Sequence, residues 1–133
     1  MFQVSASTLR RVLWLDAASG IAMGLSHVAL AGPLSVWTGI PSVWLEIAAV
    51  IVFGAAALAA WLATRASPPS AGVRLLAAGN FAWVAASGWL AFGAGLPLTT
   101  LGLGWVLVQA VTVLLLAELE WAGSRLDQRV ALA

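Results

Sequence analysis

Apolar positions fill this chain in four long blocks, and none of them alternates. Residues 11–31, 43–63, 73–94 and 99–121 are each predominantly apolar. An α-helix needs about 20 such residues to cross a bilayer. Breakers lie between the blocks: Gly32-Pro33 and Gly39-Ile40-Pro41, then Ser67-Pro68-Pro69-Ser70, then Gly95-Leu96-Pro97. Long helices joined by short loops make antiparallel neighbours, so the pattern predicts an all-α membrane protein, a single domain over residues 1–133 folded as a four-transmembrane-helix bundle. A membrane barrel would show segments of about ten residues alternating at period two, which the Ala/Leu/Val/Gly runs do not.

Charge orients the bundle. The six basic residues are Arg10, Arg11, Arg65, Arg74, Arg125 and Arg129, and the predicted topology puts all of them on one side. The first and third loops carry no charge. The positive-inside rule then predicts cytoplasmic N- and C-termini. Trp14, Trp61 and Trp121 fall near the inner interface, Trp37, Trp44 and Trp105 near the outer one, and Trp83 and Trp89 deeper, between helices. Arg10-Arg11, an apolar run and Ala29-Leu30-Ala31 also resemble a secretory signal with a small-residue cleavage site. The length of the run and Asp16 within it favour a retained span.

Composition narrows the class. The chain is 62% hydrophobic and 8% charged, against roughly 25% charged in soluble domains, so its surface is built for lipid. A net charge of +1 gives no reason to expect a nucleic-acid partner. There is no cysteine and a single histidine, which excludes disulfides, thiolate chemistry, bis-histidine haem and a histidine-rich metal site. No cofactor is expected. No P-loop, dinucleotide or zinc motif occurs. Ala-Ser-Gly at 18–20 and 86–88 suggests no serine nucleophile, because His27 lies about 12 Å from Ser19 along the helix.

A repeat lies beneath the blocks. A shift of 64 residues sets Arg10 on Arg74, Asp16 on Asn80, Gly24 on Gly88 and Pro33 on Pro97, and a shift of 60 sets Trp61 on Trp121 and Arg65 on Arg125. Each half is then a hairpin entered from the same side, which makes two parallel helical-hairpin repeats related by an axis along the membrane normal.

The candidate site residues are the polar groups inside the spans. At 1.5 Å per residue, Asp16 and Asn80 each sit about 9 Å inward from Arg10 and Arg74. Glu118 lies seven residues before Arg125 on a span running the other way. Intramembrane ionisable residues usually face the bundle interior, so an inner Asp16–Asn80–Glu118 cluster is expected, with one carboxyl holding a proton for want of a cation within the spans, unless a flanking guanidinium from Arg11, Arg74 or Arg125 reaches in. It would act as interhelical glue, worth about 0.6 kcal/mol per bond, or as a proton or ligand site. Glu120 points about 160° away from Glu118. Gln109 shares a stripe with Glu120 and favours it inward, but depth favours Glu118, because a shallower Glu120 can snorkel to the headgroups. On the outer side His27 lies three turns beyond Asp16 on the same face, and Glu46 near the start of span two stands at similar depth. A His27–Glu46 latch or gate is expected. Gly20 and Gly24 form G-x-x-x-G, which permits close helix approach.

Leu9-Arg10-Arg11 with Leu15-Asp16-Ala17, Ala31-Gly32-Pro33-Leu34, Asn80, Gln109-Ala110 and Glu118-Leu119 carry a whole-chain resemblance. The chain resembles a broad group of bacterial four-span inner-membrane proteins without assigned activity, and more loosely it is similar to the small DoxX-like four-helix bundles. The resemblance implies a compact helical bundle in the bacterial inner membrane and no activity. The chain lacks the flanking aromatic pattern of small multidrug transporters and the phenylalanine pattern of small fluoride channels. The first functional expectation is a non-enzymatic accessory or scaffold protein, binding a membrane partner, a second copy, lipid or a hydrophobic ligand. The alternative is a small proton-coupled transporter using Asp16 and Glu118, and a weaker one is a membrane enzyme acting on a lipid or quinone. A scaffold predicts a dry, close-packed core, and a transporter predicts a cavity reaching Asp16.

Overall fold

Ser5 fixes where the first helix begins. Its side chain accepts a hydrogen bond from the Thr8 amide at 3.1 Å, satisfying one of the N–H groups that a helix start leaves unpaired. The computed structural model describes residues 4–126, and those residues are helical with no strand: α1 Ala6–Ala29, α2 Ala31–Thr38, α3 Ser42–Ala63, α4 Ser70–Phe92 and α5 Thr100–Gly123. Four of the helices are long and apolar enough to cross a membrane. The protein therefore reads as multi-pass, and α1, α3, α4 and α5 correspond to the four blocks. Arg129 lies outside the described residues.

The helices form a ring in the order α1, α3, α4, α5. The two hairpin pairs, α1 with α3 and α4 with α5, pack far more extensively than α5 with α1 or α3 with α4. That near-symmetric pattern is what two parallel hairpins would produce, with α1 and α4 on one diagonal. Outward faces are apolar: Val50 is 73% exposed and Phe92 75%, as suits side chains that meet lipid tails. Gly20 and Gly24 do lie at the α1–α3 contact, against Ala56 and the Phe53 ring.

Packing is concentrated at the two ends. At the arginine-bearing end, Leu9, Leu13, Leu62, Val73 and Leu76 belong to one buried cluster. Arg10 closes it from outside, donating to the carbonyls of Arg65 at 3.2 Å and Ala66 at 3.4 Å. Arg65 lies over the Trp61 ring, 4.4 Å from its centroid, a cation–π contact. At the far end Leu34, Ile40, Leu45 and Val106 form a second cluster.

The far end differs from expectation, because the first loop is not irregular. The chain breaks at Leu30 and immediately forms α2. Pro33 is tolerated there since it falls in the first turn, where its missing N–H would have no partner anyway. Ala31, Leu34 and Thr38 face inward. The end of α2 is then clamped to the third loop: Thr99 donates from its amide to the Thr38 carbonyl at 3.1 Å and from its hydroxyl to the Trp37 carbonyl at 2.5 Å. Two glycines make this approach possible. Gly39 has φ of 77°, and a Cβ there would strike the Pro97 carbonyl; a Cβ on Gly102 would strike the Thr38 carbonyl. The helix α2 is a cap over the far end of the bundle.

Candidate functional site

Three helices contribute to the polar layer nearer the arginine-bearing end. Asp16 comes from α1, Asn80 from α4 and Glu120 from α5, and all are buried, at 7%, 6% and 0% exposure. The Asn80 amide nitrogen donates to Asp16 Oδ2 at 3.1 Å and to Glu120 Oε2 at 3.0 Å. Asn80 thus spans the diagonal of the ring, and its bond to Asp16 joins the two positions that a shift of 64 aligns. The carboxyl groups of Asp16 and Glu120 thereby meet at a single amide nitrogen. Glu120 Oε1 is buried and has no hydrogen-bond partner among the described residues. Among the described residues no arginine hydrogen-bonds either acid; Arg10 is occupied with the loop after α3. Both N–H bonds of one amide are thus spent on two buried carboxyls. Buried polar atoms are nearly always partnered, and Glu120 Oε1 is the exception in this layer.

The third member of this layer is Glu120, not Glu118, which is exposed. The buried stripe of α5 runs through Gly102, Val106, Ala110 and Ala117 to Glu120, and small residues mark the face where helices approach closely. Glu118 lies off that stripe. The depth argument failed because a carboxyl near a helix end can reach the headgroups, whereas the stripe decides which face meets the neighbouring helices.

Midway along the bundle, Gln109 joins a network that its place on the stripe only hinted at. Trp83 Nε1 donates to Gln109 Oε1 at 2.6 Å, and Gln109 Nε2 donates to Ser87 Oγ at 2.9 Å and to the Val106 carbonyl at 3.0 Å. Trp83, placed between helices from its depth, does lie there, but neither it nor Ser87 was read from the sequence as a partner of Gln109. Both serve to hold α4 against α5. Around this network the interior is not close-packed. One cavity of about 300 Å³ is lined by Asp16, Ser19, Asn80 and Thr112, and a second of about 280 Å³ by His27, Trp44, Ser87 and Trp89. They adjoin, since Met23, Ile51, Trp83, Trp105 and Gln109 line both. Ile51 is 56% exposed and Val108, beside the first cavity, 69%, so the cleft opens sideways between helices, toward lipid.

The expected His27–Glu46 pair does not form. His27 is 3% exposed, and neither ring nitrogen has a hydrogen-bond partner. The ring lies beside the Leu45 backbone and against Trp105, with centroids 6.2 Å apart at 47°. Glu46 is exposed. Leu45, Ala49, Val52 and Ala56 are the buried stripe of α3, and Glu46, one position on, is turned about 100° away from it. Matching depth was not enough to bring the two side chains together. No group of three or more metal-ligating side chains occurs among the described residues.

No protein-family model matches the chain, and no curated protein or solved structure matches it.

Proposed function

We propose that the Asp16 and Glu120 carboxyls, bridged by one amide with no described arginine bonded to either, share a proton, and that this multi-pass membrane protein binds a ligand in its central cleft in exchange for it. One observation carries the reading: Asp16 is tied into a buried carboxyl–amide–carboxyl layer and at the same time lines a cavity of about 300 Å³. Intramembrane ionisable groups of this kind mark proton and substrate pathways. A purely structural layer would be sealed. Here Glu120 sits behind, fully buried, and Asp16 faces the open space.

The chemistry follows from the lining. The cleft is aromatic and apolar with an acidic floor, and no arginine lines it. A ligand with an apolar body and a cationic or hydrogen-bond-donating head would take the place of the proton on Asp16, and tryptophan faces favour a cation. A scaffold role called for a dry core, so the cavities support ligand exchange instead. With the arginine-bearing end in the cytoplasm of a bacterial cell, the acid layer lies in the inner leaflet of the inner membrane and the His27 cavity in the outer.

The test is proton release from purified protein in weakly buffered detergent on addition of tetraphenylphosphonium. Stoichiometric release by the native chain and none by Asp16→Asn is the expected result. Binding of the cation with equal affinity by both, and no proton released, rejects the reading.

A further inference from the structure

The polar side chains around the Asp16 cavity have one thing in common: their donors are already spent. The Asn80 amide gives both N–H bonds to the carboxyls of Asp16 and Glu120. The hydroxyls of Ser19 and Thr112, which line the same cavity, donate back to their own helices, to the Asp16 carbonyl at 3.1 Å and the Val108 carbonyl at 2.9 Å. Trp83 donates to Gln109, and Gln109 donates to Ser87 and the Val106 carbonyl. The Trp105 indole is the exception, and Trp105 stands seven residues outward of Thr112, about 10 Å along α5. Acceptors remain at the acid end. The Asn80 amide nitrogen faces both acids, so its carbonyl oxygen points elsewhere, and no hydrogen bond reaches that oxygen among the described residues. The sealed, unpartnered side-chain atoms belong to His27 and Glu120. The Asn80 oxygen is therefore open to space, on a side chain that is 6% exposed and lines the cavity.

We infer that the ligand of this cleft is a primary ammonium with an apolar body and no acid group, its N–H bonds taken by Asp16, the Asn80 carbonyl and the Ser19 and Thr112 hydroxyl oxygens. The inference rests on ligand exchange at Asp16 and narrows what is exchanged. A primary ammonium carries three donors and no acceptor, the complement of a wall with acceptors only. A quaternary cation brings the same charge but leaves those oxygens unpaired. A zwitterion brings a carboxylate as well, and no arginine lines the cleft to receive it. The rest of the cavity wall is largely apolar, Met23, Ile51, Val52 and Val113 among it, around about 300 Å³. That is room for an organic body, which a bare metal ion would leave empty. The body has further space beyond Met23 and Trp83, where the cavity adjoins the one bordered by Trp44 and Trp89. Binding exchanges one cation for another: the ammonium enters with its charge, and the proton shared by the carboxyls leaves to water.

Octylamine, N-methyloctylamine, N,N-dimethyloctylamine and octyltrimethylammonium keep the body and the charge at neutral pH and remove one N–H at a time. The full chain in weakly buffered, sodium-free detergent is titrated with each as its chloride, following tryptophan fluorescence for affinity and pH for proton release. Affinity should fall along the series, with the quaternary member about ten-fold or more weaker than the primary, the worth of a hydrogen bond to a charged group. The double variant Ser19→Ala with Thr112→Val keeps both carboxyls and the amide and should narrow that gap several-fold. Equal affinity across the series, with protons released by every member, overturns the inference and spares the exchange. A graded series without proton release rejects the exchange and leaves the N–H preference standing. Binding of none of them rejects both. An undiminished gap in the double variant also overturns the inference, as does sodium chloride displacing the proton as readily as octylamine.

Discussion

Asp16 and His27 stand on one face of one helix, eleven residues apart, yet they have opposite fates. Asp16 is met from α4 by Asn80 and, behind it, from α5 by Glu120. His27 is met from α5 by the Trp105 ring and from α3 by Leu45, and it keeps both nitrogens bare. Burial alone did not decide the outcome, since both are over nine-tenths buried. The difference comes from what the opposing helices present at each level. A polar group becomes a structural joint where its neighbours carry a matching group, and stays unpaired where they do not.

The largest effect should come from removing the one donor common to the inner layer. Asn80→Leu leaves two buried carboxyls facing each other with no amide between them. Leaving a buried hydrogen-bonding group without its partner costs about 1–3 kcal/mol, and two carboxyls lose theirs here. Because membrane references soften such losses, about 3 kcal/mol is expected. Unfolding by sodium dodecyl sulfate in mixed micelles, followed by tryptophan fluorescence, measures it. A loss under 0.5 kcal/mol, the scatter of surface changes, would mean that the layer joins nothing.

The two glutamates of α5 sharpen the same point within one turn. Glu120→Ala should cost about 2 kcal/mol, because Asn80 loses an acceptor in a fully buried position. Glu118→Ala should stay within about 0.5 kcal/mol, as exposed sites do. The same unfolding titration on both variants decides it, and equal losses would restore Glu118 to the layer.

Much of this was legible before any coordinates. Segment length and the arginine distribution gave four antiparallel spans with the described arginines at one end, and the 64-residue shift aligned Asp16 with Asn80, which do hydrogen-bond. These features are periodic or global, so single residues cannot hide them. What escaped was rotational. Glu118 against Glu120, and Glu46 against His27, turn on which way a side chain points around its axis, and depth carries no such information. The small-residue stripe of α5 does carry it, through Val106, Ala110 and Ala117 to Glu120. The helix α2 escaped because Gly32-Pro33 reads as a breaker, though proline in a first turn breaks nothing.

That cap offers the next test, this time of the outer layer. A Cβ on Gly102 overlaps the Thr38 carbonyl, so Gly102→Ala must lift the end of α2 from α5. Overpacking of this kind costs about 1–3 kcal/mol, and about 1.5 kcal/mol is expected. The consequence should be local. Ring-labelled His27 should show changed ¹⁵N signals, while proton release through Asp16 continues. Loss of proton release as well would mean that the two layers act as one unit.

The smallest effect separates the layers most cleanly. Apolar replacement of Asp16 would strip acceptors from Asn80, but the same change at His27 strips no partner, because it has none. His27→Phe removes an unpaired buried group and keeps a flat ring against Trp105. It should therefore raise stability in lipid-free detergent by up to about 1 kcal/mol, measured by the same titration. Glu46→Gln should change it by less than about 0.5 kcal/mol. If His27→Phe and Glu46→Gln each destabilise the chain by a similar amount, the two side chains pair after all, and His27 belongs with Asp16 as a structural joint rather than opposite it.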